Sequence, residues 1–211
     1  LLFGDMPDLG FYTKPDGPAG NWATLLPDGH IKEALEAQEE AVEYSIKDIC
    51  YVADQAYDVG ADGMNLDTCG AAGDADFLAA LRACEAITTK YPDFPVEIGM
   101  AGEFVLGMHG KLKYNGKRLA GLYPHDQVKL AEQAGASIFG LVVNTNCNKS
   151  FAWNMARVIT FVQACTKVAN IPVHADVGMG VCGIPMVEIM PVDVMSRADK
   201  ALVELGKIDG F

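Results

Sequence analysis

The sequence predicts a parallel α/β fold, most of a (β/α)8 TIM barrel, on three observations. Short β-rich runs alternate with long helical patterns along the whole chain. The alternation recurs at roughly 35-residue spacing without a reversal, which implies parallel strands joined by crossover helices. Polar residues inside the strands share one parity, as they do where one face of a strand lines a lumen.

The elements follow in order. Leu1–Phe3 is a first strand. Asp28–Val59 reads as a helix, with Ile31, Leu35, Val42, Ile46 and Ile49 at three- and four-residue steps and Gly60 as its cap. Gly63–Leu66 is a short strand, and Asp74–Lys90 a helix with Phe77, Leu78, Leu81 and Ile87 on one side. A turn at Tyr91–Phe94 leads into a strand at Val96–Met100. Asn115-Gly116 between strand-like arms marks a hairpin over Leu112–Leu119. A helix at His125–Ala134 ends at Gly135. Ser137–Val143 is a strand, Phe151–Ala169 a helix and Ile171–Val177 a strand. Pro191–Leu205 is a helix stopped by Gly206, and Lys207–Phe211 opens another strand. A whole barrel needs about 250 residues. Six strand candidates in 211 residues therefore give a partial barrel, a single domain over residues 1–211.

Composition narrows the class. Half of the residues are hydrophobic and the mean hydropathy is +0.14, which suits a packed core. The net charge of −12 argues against nucleic acid as a partner. No apolar run reaches the ~18 residues of a membrane span. Six scattered cysteines with no CxxC pair fit a reducing cytoplasm rather than a disulfide framework. Asn148-Lys149-Ser150 fits a glycosylation sequon, but no secretory signal accompanies it.

Strand parity points to a site. Val96, Ile98 and Met100 alternate with Glu97; Met64 and Leu66 alternate with Asn65 and Asp67; Val173, Ala175 and Val177 alternate with His174 and Asp176. Asn144 and Asn146 continue one parity after an apolar run. The apolar set faces the helices, so the polar set faces the lumen. Barrel lumens are usually filled with branched apolar side chains. A lumen holding Asn65, Asp67, Glu97, Asn144, His174 and Asp176 is costly unless these groups satisfy one another or bind something. Crowded carboxylates there should include one with a raised pKa, able to take a proton from an alkylammonium. Glu103 and His109 lie in the loop after the Glu97 strand, at the expected barrel mouth. Gly178–Gly183 matches GxGxxG, but Pro185 and Pro191 interrupt the helix that a dinucleotide site requires.

Several blocks, in order, resemble the dimethylamine methyltransferases: TKPDGP (Thr13–Pro18), GADGMNLDTCGAAGDAD (Gly60–Asp76), EIGMAGEFVLGMHG (Glu97–Gly110), YNGKRLAGLYPH (Tyr114–His125), VVNTN (Val142–Asn146), GMGVCGIPM (Gly178–Met186) and PVDVMSRADKALVE (Pro191–Glu204). The resemblance runs essentially the full length. Cys182, where glycine is expected, and Ile189-Met190, where Thr-Pro is expected, depart from it without touching the lumen set. The resemblance implies transfer of one methyl group from dimethylamine to cobalt(I) of a cognate corrinoid protein, in methanogenesis from methylamines. The corrinoid belongs to that partner, so no cofactor or metal is expected directly on this chain. The family's unusual residue, pyrrolysine, carries an electrophilic imine and combines covalent catalysis with positioning. Glu97, Asp67 and His174 are then the catalytic candidates. Asn65, Glu103, His109, Asn144, Asn146 and Asp176 are the substrate-binding ones.

The resemblance implies pyrrolysine immediately after Phe211, encoded by an in-frame UAG. The expectation is a piece that stops short of its electrophile and is inactive alone. The opening LLFGDMPDLGF likewise reads as the middle of a domain. A second reading stays open: a metal-dependent barrel lyase or hydrolase in which His174, Asp176 and Glu97 hold a divalent ion. Self-association into a homo-oligomer also stays open.

Overall fold

The computed structural model describes residues 2–5, 9–67, 73–107, 110–142, 152–176 and 191–211. Its central feature is a five-stranded sheet: β1 (Leu2–Asp5), β2 (Met64–Asp67), β3 (Val96–Gly99), β6 (Ile138–Val142) and β7 (Val173–Asp176), all neighbours parallel and in chain order. A hairpin, β4 (Lys113–Tyr114) and β5 (Lys117–Arg118), is inserted after β3. The helices are α1 (Trp22–Leu25), α2 (Ile31–Asp58), α3 (Asp74–Lys90), α4 (Pro124–Gln133), α5 (Ala152–Thr166) and α6 (Val192–Ala201). Parallel strands in chain order, separated by helices, form an arc of a (β/α)8 barrel. The arc extends one place further. Gly210 bridges His174 in parallel, Asp209 N–H donates to the Val173 carbonyl at 2.9 Å, and Ala175 N–H donates to the Gly210 carbonyl at 3.1 Å.

Register sorts the strands into two faces. Gly4, Leu66, Ile98, Phe139 and Val173 form one row across the sheet. Its described side chains, with Met64, Val96, Leu141 and Ala175 of the same parity, are at most 4% exposed. These residues meet the helices and form the core. The opposite parity holds Asn65, Asp67, Glu97, Gly99, Gly140 and His174 along with Phe3 and Ile138, and it carries the site.

Helix boundaries have local causes. Gly60 takes φ 79° just after α2, and its N–H donates to the Tyr57 carbonyl at 3.0 Å. The buried stripe of α2 is Ala34, Ala37, Ala41, Val42, Ile49, Ala53 and Ala56, and α2 packs mainly on α3. The expected stripe of larger residues is corrected here. Ile31 is exposed, and Leu35 and Ile46 are only partly buried, because alanines let α2 sit closer to the alanine-rich α3. Asn115 and Gly116 take φ 48° and 80°, the left-handed pair that a tight hairpin needs. The helix expected to stop at Gly206 instead widens into a π-helical turn over Leu202–Gly206, and Lys207 takes the left-handed position at φ 64°. Gly206 serves packing: an added Cβ would lie 2.8 Å from Val162 Cγ1. Side chains of α5 answer the carbonyls of this turn. Gln163 donates to Leu205 O at 2.9 Å, and Thr166 to Gly206 O at 2.8 Å. Among the described residues no helix is long and apolar enough to cross a membrane.

Candidate active site

Two rows of the inner face hold the candidates. The lower row is Phe3, Asn65, Glu97 and Ile138 in register. The upper row runs Asp5, Asp67 on one side of the arc, and Gly99, Gly140 and His174 on the other, with Gly210 beyond. The parity expected for Asn65, Asp67, Glu97 and His174 is thus the observed one. Asp176 is the last residue of β7, in register with Val142 on the same inner parity. His109, Asn144 and Asn146 lie outside the described residues, as does the glycine-rich loop Gly178–Gly183.

Glu97 is the most buried of the set, at 9% exposed. Its Oε1 lies 3.9 Å from His174 Nδ1, which is too long for a direct hydrogen bond. It is close enough for an ion pair when the imidazole is protonated. A carboxylate this buried needs a compensating partner, and a histidine two strands away is an unusual one to reach. Asn65 and Asp67 are half-buried beside it on β2. Among the described residues Asn65 Oδ1 is buried with no hydrogen-bond partner. Such an orphaned acceptor is uncommon in a settled core and suits a site that receives a donor.

Glycines shape the space between these groups. An added Cβ at Gly140 would lie 2.8 Å from Glu97 Oε1, and one at Gly210 would lie 3.1 Å from both Cδ2 and Nε2 of His174. The Glu97 carboxylate therefore occupies the place of a side chain at Gly140, and the His174 ring lies against Gly210. Sequence reasoning passed over these glycines, although the parity rule that finds Glu97 and His174 also places Gly99 and Gly140 on the inner face.

Glu103 is engaged elsewhere. Arg157 Nη2 of α5 donates to both its carboxylate oxygens, at 2.5 and 2.6 Å, and the Glu103 side chain is 11% exposed. No local signal in the helix predicted Arg157 as that partner. The same loop is clasped by Gln127, fully buried on α4. Its Oε1 accepts from Ala101 N–H at 3.0 Å, and its Nε2 donates to Gly102 O and Leu122 O at 3.0 and 3.1 Å. The loop after β3 is thus held to α4 and α5 by side chains. Among the described residues no three His, Cys, Asp or Glu side chains gather as a metal site would need.

The chain is similar to the Rhizobium etli pyruvate carboxylase T882A with the allosteric activator acetyl coenzyme-A, at 16% identity and TM-score 0.48, over 78% of this chain and 13% of that one. It is also similar to the carboxyl transferase domain from Rhizobium etli pyruvate carboxylase with pyruvate and biocytin, at 14% identity and TM-score 0.47, over 78% of this chain and 23% of that one. The chain therefore spans less than a quarter of the length of either. A family model described as dimethylamine methyltransferase (Dimeth_PyL) matches residues 1–211, so the chain belongs to the dimethylamine methyltransferase family.

Proposed function

We propose that this chain supplies the amine-binding and proton-handling face of a site that moves one methyl group from dimethylamine to a corrinoid carried by a separate protein. One observation carries the reading: Asn65, Asp67, Glu97 and His174 share the inner face of a barrel arc, with Glu97 facing His174 across a glycine, in a chain of this family. The two carboxylates of this face favour a cation, and dimethylamine is an ammonium ion at neutral pH. The unanswered Asn65 Oδ1 also fits a site that receives a polar group from outside the described face. When present, pyrrolysine supplies an electrophile for the amine, and the partner's corrinoid supplies the methyl acceptor.

The residues of this chain divide the remaining work. Asp67 and Glu97 attract the ammonium by charge. The Glu97 carboxylate takes a proton from it, which exposes the nitrogen lone pair. Asn65 Oδ1 accepts the other N–H and fixes the orientation. Breaking the C–N bond leaves its electron pair on nitrogen, which must gain a proton before monomethylamine departs. His174, with Nδ1 facing Glu97 Oε1, exchanges that proton with the carboxylate. Burial of Glu97 strengthens each of these interactions, because little water competes.

The test is Glu97→Gln in the full-length protein with its corrinoid partner. Loss of a positioned acid–base group should lower the rate of dimethylamine demethylation by roughly 10²- to 10⁴-fold, with the thermal midpoint nearly unchanged. An unchanged rate would sink the reading.

A further inference from the structure

We infer that Gly140 is a positioning residue of this site: its missing side chain is the gap through which the Glu97 carboxylate crosses β6 to face His174. Glu97 belongs to β3 and His174 to β7, with β6 between them. Neighbouring strands lie about 4.8 Å apart, so the two backbones stand roughly 10 Å apart across the sheet. The carboxylate nevertheless comes within 3.9 Å of the imidazole. It passes over Gly140, where a Cβ would stand 2.8 Å from Oε1.

Glycine is required here by nothing else described. The φ of Gly140 lies outside the left-handed region, so its strand conformation admits any residue. An added Cβ would meet the Gly99 Cα at 3.5 Å, an ordinary contact. Gly63 makes the contrast: there a Cβ would run to 2.8 Å from the Pro95 carbonyl oxygen, so backbone crowding demands glycine. At Gly140 only the Glu97 carboxylate does. Gly210 plays the matching part on the far side of the ring, where the Cδ2–Nε2 edge lies against it. Asp67 shares the inner row with His174 three strands away, and the Asp209 carboxylate accepts from Val173 N–H at 2.8 Å.

The consequence for catalysis rests on the methyl-transfer reading; the consequence for the pair does not. The experiment is a cycle of four full-length proteins: parent, Glu97→Gln, Gly140→Ala and the double variant. It is read by the imidazole nitrogen NMR signals of His174. In the parent, Glu97→Gln should shift those signals. In the Gly140→Ala background the same change should leave them nearly still, because the pair is already broken. Equal shifts in both backgrounds would overturn the inference. If Gly140→Ala alone does not fold, Gly140→Ala with Glu97→Asp replaces it, since the shorter carboxylate vacates the 2.8 Å position. That protein should fold and show the His174 signals of Glu97→Gln; parent-like signals would overturn the inference. Demethylation by Gly140→Ala should fall roughly a hundredfold, the usual effect of misplacing a catalytic group by an ångström or so. NMR shifts as expected with an unimpaired rate in Glu97→Gln would support the role of Gly140 and sink the methyl-transfer reading instead.

Discussion

The two faces of one sheet obey opposite rules. On the helix side, Leu66, Ile98, Phe139 and Val173 stand in one row, each at most 1% exposed. One residue along the same strands, the inner face carries Asn65, Asp67, Glu97 and His174 among glycines. The outer row is filled to exclude water and contributes stability. The inner row leaves an acceptor unanswered, a feature that contributes nothing to stability. Adjacent residues of one strand thus serve folding and chemistry separately, and substitutions on the two faces should have unlike effects.

The sharpest way to break this contrast is Phe139→Ala, on the outer row. Removing a fully buried phenylalanine should cost about 3–5 kcal/mol, read as a large drop in the denaturant midpoint. A small drop would mean that the outer face is not the main core. Asn65→Leu probes the inner face at a neighbouring position. It removes the orphaned Oδ1, so stability should hold or rise by about 1 kcal/mol while the KM for dimethylamine rises several-fold. A clear loss of stability would show that Asn65 is a packing residue. The smallest effect is expected on the hairpin, where Lys117 Nζ lies 2.7 Å from Asp126 Oδ1. Asp126 has its pKa lowered, first by that hydrogen bond, against an opposing effect of burial, with the charges of Lys117, His125 and Lys129 adding to the lowering. A lowered folded-state value stabilises above the unfolded-state value and is lost as pH falls through the folded one. For this half-exposed pair the contribution is about 0–1 kcal/mol at pH 7. It should fade as pH falls below roughly 4, so Asp126→Asn should matter more at pH 7 than at pH 3. A penalty undiminished at pH 3 would assign the effect to packing.

Periodicity and punctuation made much of the fold legible. Asp74–Lys90 runs as expected because an acidic first turn, an apolar side and a basic last residue agree with one another. The hairpin follows from Asn115-Gly116, whose φ values few other pairs adopt. The short 3₁₀ turn at Leu9–Tyr12 and α1 went unread, since four-residue helices carry too little pattern. Ile31 misled because the first residue of a helix can keep the period and still face water. Gly206 misled because a glycine near a helix end can serve a close contact as well as a cap.

The candidate site divides along the same line. Sequence alone determined which residues of β2, β3 and β7 share the inner face, because side chains alternate strictly along a strand. It also determined the family, through blocks that recur in order along the whole chain. Only the tertiary structure decided which of those residues meet. Glu97 faces His174 because the register places glycine on the strand between them, and Glu103 meets Arg157 because α5 folds back beside the loop after β3. Register and helix docking bring together residues far apart in the chain, and no local pattern encodes the distance between them.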